Sequence, residues 1–166
     1  MGTKFGSLCG FNTLFVGALP LQMTLCNSTT VVAVFPPGAG SLGNLSLTVG
    51  VLPAVLGGGA SMAFGYAPPA VTAIVGDDPL ALPTLGTWPD QRPSNVTLVG
   101  SNFGPAGSAL RVTFTSAVDG VVREAVNCSR DPVRHTWVTC LAVSGVGVRH
   151  HWTVVVGGQA GVPSAQ

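Results

Sequence analysis

An all-β protein built from two consecutive copies of one unit is what the 166-residue sequence predicts, on three observations. Gly (23) and Pro (13) are abundant, yet 46% of the residues are hydrophobic, so the chain is rich in turns without the polarity of a disordered one. Short runs of Val, Thr, Phe and Trp bounded by Gly, Pro, Asp or Ser recur along it, and no helical periodicity competes with them. Finally, a pattern returns: MGTKFG at 1–6 and VGSNFG at 99–104 stand 98 positions apart.

In the second copy the predicted strands run over 70–75, 95–100, 110–116, 121–127, 135–142 and 150–156. The clearest is 110–116, where Leu110, Val112, Phe114 and Ser116 alternate with Arg111, Thr113 and Thr115, the period of a half-buried strand. Asp119-Gly120 marks a hairpin after it, because that turn needs positive φ. The stretch 76–94 carries Asp77, Asp78, Pro79, Pro83, Pro89, Asp90 and Pro93 without periodicity. It reads as a long loop between two parts of one edge strand.

The first copy answers to the second piece by piece. Thr29–Val34 before Pro36-Pro37-Gly38-Ala39-Gly40 corresponds to Thr136–Val143 before Gly145-Val146-Gly147, and Leu45–Val49 to His151–Val156. The boundary falls at the proline pair Pro68-Pro69, placing one unit at 1–67 and the next at 68–166. Such a linker is short and stiff, so an elongated pair is expected. The first copy begins inside its repeat and the second lacks a counterpart of Phe64-Gly65-Tyr66, so the sequence reads as an interior piece of a longer protein.

Charged residues make up 8% of the chain, against roughly 25% in an ordinary soluble domain. So uncharged a surface needs either attached sugar or burial against neighbours, and both are expected. Seven Lys and Arg residues with a net charge of +1 form no basic stripe, which argues against nucleic acid as a partner. Gly, Pro and Asn interrupt every apolar run, so direct membrane insertion by this segment is not expected.

Four cysteines fall two to each half. Cys9 with Cys26 and Cys128 with Cys140 read as local disulfides, with free buried thiols as the alternative and a zinc site behind both, since no C-x-x-C pair exists. Four of the six asparagines, Asn27, Asn44, Asn95 and Asn127, open N-x-S/T sequons. Together with paired cysteines they point to the secretory pathway, an extracellular or cell-surface location and N-glycans.

The motifs G-x-x-F-G, P-x-G-x-G and a closing F-x-Y-x-P-P resemble those of the IPT/TIG family, an immunoglobulin-like fold found in plexins, related receptors and Rel transcription factors. The resemblance is carried by Gly2, Phe5 and Gly6, by Gly100, Phe103 and Gly104, by Gly38 and Gly40, and by Phe64, Tyr66, Pro68 and Pro69. It implies two tandem immunoglobulin-like β-sandwiches, in which each Phe plugs one end of a core.

Candidate sites for chemistry are weak. No G-x-S-x-G elbow exists, and His135, His150 and His151 lie in or beside strands near Trp137 and Trp152, where packing explains them; no enzyme and no cofactor are expected. Asp77, Asp78 and Asp90 fall short of a calcium shell and read as turn residues, so no metal is expected. Gly57-Gly58-Gly59 reads as a hairpin tip. Trp137 and Trp152 are expected in the core or on a sheet face, leaving Trp88, among prolines, as the candidate partner contact. The expected function is a structural or interaction module of a large extracellular glycoprotein, such as a flagellar-hair or coat filament, with other chains or neighbouring domains as protein partners. A receptor or adhesion ectodomain, a carbohydrate-binding accessory module and a Rel-like DNA-binding domain are the rivals.

Overall fold

A computed structural model describes residues 10, 12–54, 63–76 and 82–165. The protein is all-β, with several antiparallel sheets and no α-helix among the described residues. It divides into two compact units, Met1–Pro37 with Ser41–Tyr66, and Gly38–Gly40 with Ala67–Gln166.

The first unit holds β1 (Asn12–Val16), β2 (Leu19–Pro20), β3 (Gln22–Cys26), β4 (Val31–Val34), β5 (Ser41–Val49), β6 (Leu52–Pro53) and β7 (Ala63–Gly65). Its main sheet has the order β2-β1-β5-β6, with β7 also on β5, while β3 and β4 form a separate two-stranded sheet. Alternation along β1 turns Leu14 and Val16 inward, where they meet Leu21 and Leu47. The closing F-x-Y motif is tied down locally. Phe64 stacks on Phe35 at 5.7 Å, and the Tyr66 hydroxyl donates to the Pro36 carbonyl at 2.5 Å.

The second unit holds β8 (Ala70–Gly76), β9 (Asn95–Ser101), β10 (Leu110–Ser116), β11 (Val122–Glu124), β12 (Val126–Arg130), β13 (Trp137–Leu141), β14 (His150–Val156) and β15 (Gln159–Ala160). Two antiparallel four-stranded sheets result, β11-β10-β14-β15 and β12-β13-β9-β8. Residues of both meet in one core: Val112, Phe114, Trp152, Val154 and Val156 from the first, Val96, Leu98, Val138 and Cys140 from the second. Phe114 stacks on Trp152 with ring centroids 4.7 Å apart.

The G-x-x-F-G residues of this unit seal that core. Phe103 is fully buried, and a Cβ on Gly100 would overlap the Ala70 carbonyl oxygen and stand 2.8 Å from the Phe103 ring. Gly104 has φ +72, and a Cβ there would meet Val156 at 2.8 Å. Larger residues at either position would push Phe103 or Val156 out of place. Gly2, Phe5 and Gly6, the matching residues of the first copy, lie outside the described residues.

Two expectations need correction. Residues 121–127 are not one strand: Val122–Glu124 pairs with β10, and from Val126 onward the chain pairs with β13 in the other sheet. The crossing is made at Ala125, which is buried and still donates its N–H to the Val112 carbonyl (2.9 Å). A run that is β-rich throughout does not announce a change of sheet, because both halves keep extended backbone. The stretch 76–94 does not interrupt one edge strand either. It connects β8 and β9, which are antiparallel neighbours in register from Ala70↔Ser101 to Gly76↔Val96, so β8 is an edge strand of its own. The hairpin at Asp119-Gly120 is present, with Gly120 at φ 65 and Asp119 accepting from the Val121 N–H and pairing with Arg123 at 2.7 Å.

Candidate functional site

The residues that the sequence marks out sit on strands and turns whose geometry follows from the sheets just described. Cys128 on β12 and Cys140 on β13 are joined by a disulfide, with Cα atoms 4.1 Å apart. The two strands are neighbours in one sheet, so the bond staples a strand pair beside a register shift between Val126 and Ser129. Cys140 is buried in the core and Cys128 half-buried. In the first unit Cys26 is half-buried, accepts a contact from Asn12 Nδ2 at 3.1 Å and forms no disulfide among the described residues. Cys9, its expected partner, lies outside them.

All four sequon asparagines are exposed. Asn27 heads the turn between β3 and β4, where its Oδ1 accepts from the backbone N–H groups of Thr29 (2.9 Å) and Thr30 (2.8 Å) and from the Thr29 hydroxyl (3.1 Å). That Asx turn joins the acceptor residue to the hydroxyl residue of its own sequon. Asn44 lies on β5 and Asn95 opens β9. Asn127 stands at the β12 irregularity with φ 51, next to the bonded Cys128.

Trp88 is half-buried rather than free. Its N–H donates to the Arg92 carbonyl (2.9 Å), its carbonyl accepts from Gln91 (2.8 Å), and the Arg92 guanidinium lies 5.1 Å from the ring centroid. Asp90 serves this small turn, accepting from the Arg92 N–H and pairing with Arg92 Nε at 3.1 Å. The indole Nε1 is buried without a hydrogen-bond partner among the described residues. Asp77 and Asp78 lie outside the described residues, as do Gly57, Gly58 and Gly59, and no cluster of three metal-ligating side chains occurs among the described residues.

The three tryptophans differ in exposure. Trp152 is fully buried, but Trp137 is 45% exposed on the outer face of β13, with Arg134 5.8 Å from its ring centroid. Strand residues alternate between faces, and the burial pattern of β13 turns Val138 and Cys140 inward, so Trp137 faces out. Period 2 in the sequence carries that signal only once one of the two faces is known to be the core.

The three histidines lie on β14 or in the turn before β13. His150 is buried with its ring edge-on to Phe114 at 5.3 Å, and burial pushes its imidazole below the usual range, with Arg123 adding to the effect and Asp119 opposing it. His151 Nδ1 lies 3.0 Å from the Ser164 carbonyl, and His135 occupies a turn at φ 55. Among the described residues, no helix is long and apolar enough to cross a membrane. Compared with family models, with curated proteins and with solved structures, the chain has no match.

Proposed function

We propose that the chain is a pair of consecutive immunoglobulin-like β-sandwich units of the IPT/TIG type, serving as a non-enzymatic structural module of an extracellular glycoprotein and acting through contacts with other chains or domains. The observation that carries this reading is that all four sequon asparagines are exposed on a chain that also forms a disulfide. A disulfide favours an oxidising compartment, and exposed sequons there are available to the glycosylation machinery. Sugar in turn supplies the solvation that a chain with 8% charged residues lacks. Phe103 buried between two glycines supports the family assignment, since it gives the G-x-x-F-G motif the end-plug role that the resemblance implies.

The test is secretion of the chain from a eukaryotic host, followed by intact mass before and after enzymatic deglycosylation and by sedimentation of both forms. A mass loss corresponding to at least two glycans, with association increasing as sugar is removed, is the expected result. A mass that does not change removes the secretory assignment.

A further inference from the structure

We infer that the N-glycan on Asn95 lies across the outer face of the sheet β12-β13-β9-β8 and closes that face to protein partners, an inference that rests on the secretory reading above. No charged side chain occurs anywhere in β8, β9 or β13. Their outward positions are aligned across the sheet: Leu141 opposite Asn95, Thr97 opposite both Thr139 and Val75, Trp137 opposite Val99. The result is an apolar patch with a hydroxyl pair at its centre, the Thr97 and Thr139 oxygens being 2.9 Å apart. Val75 is 56% and Trp137 45% exposed on it, the latter with the Arg134 guanidinium near its ring, which leaves apolar surface facing water.

The sequon is built into this face. In a strand, residues two apart point the same way, so Asn95, Thr97 and Val99 share the outer side while Val96 and Leu98 enter the core. A sugar on Asn95 is therefore anchored at the margin of the patch. Trp137 stands four strand positions further on, about 13 Å away at the usual rise per residue, within reach of the first few rings of an N-linked core. Sugar rings carry C–H faces that cover aliphatic and indole carbon, and hydroxyls that meet water and the threonine pair. A protein docking flat on the same face would have to bury that branched polar chain without hydrogen bonds for it, at a desolvation cost that the patch does not offset. The other sequons lack this relation: Asn27 is in a turn, Asn44 is in the other unit, and Asn127 stands at a strand irregularity.

The experiment uses the full chain secreted from a eukaryotic host, with site-resolved glycopeptide mass spectrometry and hydroxyl-radical footprinting of the tryptophans. Asn95 is expected to be occupied in most molecules. Removing the sugar, or substituting Asn95→Gln, is expected to raise Trp137 oxidation severalfold while Trp88 and the buried Trp152 stay as they were. Thr97→Ser, which keeps the sequon, is expected to retain protection. If Asn95 is bare while Asn27 or Asn44 carries sugar, the inference fails and the secretory reading stands. If none of the four is occupied, both fail together. If Asn95 is occupied but Trp137 is labelled equally with and without it, the sugar points away from the face and the inference is overturned.

Discussion

The two units share a strand order, β2-β1-β5-β6 in the first, where β7 also pairs with β5, and β11-β10-β14-β15 in the second, and their described core residues are enclosed to different extents. Leu14 opposite Leu47 in the first corresponds to Val112 opposite Val154 in the second, and Val16 opposite Leu45 to Phe114 opposite Trp152. Even the change of sheet is repeated: Leu21 donates to Leu14 as Ala125 donates to Val112, each from a buried residue just before the next strand. The difference lies in how far the described residues are enclosed. In the second unit β9 adds Val96 and Leu98, and Phe103 follows it, so large rings at 114 and 152 are enclosed. In the first unit Met23 of β3 and Val31 and Ala33 of β4 pack on the core, and Leu25, Val32, Val34 and Phe35 are 47, 45, 54 and 39% exposed. Strand alternation thus sets the frame, while the depth of the core depends on the facing layer.

Cysteine usage differs in the same way. By register, Cys26 opposite Val31 takes the place of Arg130 opposite Val138, and Ala33 takes the place of Cys140. The bond Cys128–Cys140 therefore belongs to the second unit alone as a β12–β13 staple, and a bond from Cys26 would occupy a different place in the first.

The largest test of this contrast is Trp152→Ala against Leu45→Ala. Emptying the enclosed site at Trp152 costs about 3–5 kcal/mol in urea unfolding of the second unit. Leu45 is only half-buried, and its truncation in the first unit costs about 1 kcal/mol, a fraction of a full burial term. Equal losses at the two positions would mean that the cores are equally closed.

Replacing Cys128 and Cys140 together by Ser lowers stability of the second unit by roughly 3 kcal/mol on the chain-entropy account, for a loop closed at a sequence separation of 12. The readout is the urea midpoint of each unit, and the first unit's transition is expected not to move.

A smaller effect depends on pH. The folded His150 imidazole lies below its ordinary 6.5, so on acidification the unfolded chain takes up its proton first. Stability of the second unit is full above 6.5 and is lost as pH falls from there toward the lower folded value. The stability that Asp119 and Asp131 contribute, both held below 3.8 by their hydrogen bonds, is present above that pH and is lost only below it. Urea midpoints at about pH 7.5 and about pH 5.5 are expected to differ in the native chain and to differ less in His150→Phe. An unchanged difference would assign the pH effect to another group.

The smallest expected change in folding is Trp88→Ala, which removes the Arg92 contact, worth about 0.5–1 kcal/mol. Its larger readout is association of the glycosylated chain by sedimentation, expected to weaken because Trp88 is the candidate partner contact. A loss of folding stability well above that range would make Trp88 part of the fold and remove it as a contact residue.

Much of this was legible in the residues. Alternation in 110–116 and 150–156 marks β10 and β14 to the residue, because one face of each strand is apolar and the turns at their ends are rich in Gly or Asp. Proximity and parity were enough to pair Cys128 with Cys140, and sequons are readable by definition. What the sequence by itself determined is therefore local: strand content, turn positions, the near disulfide and the N-x-S/T sequons. Only the tertiary structure decided that the chain changes sheet at Ala125, that β8 and β9 are neighbours across a long connection, and that Trp137 faces water while Trp152 is enclosed. The physical reason is that a strand's own residues specify its two faces but not its partners. Which face becomes core, and which edge stays open, depends on hydrogen bonds and packing between segments far apart in the chain.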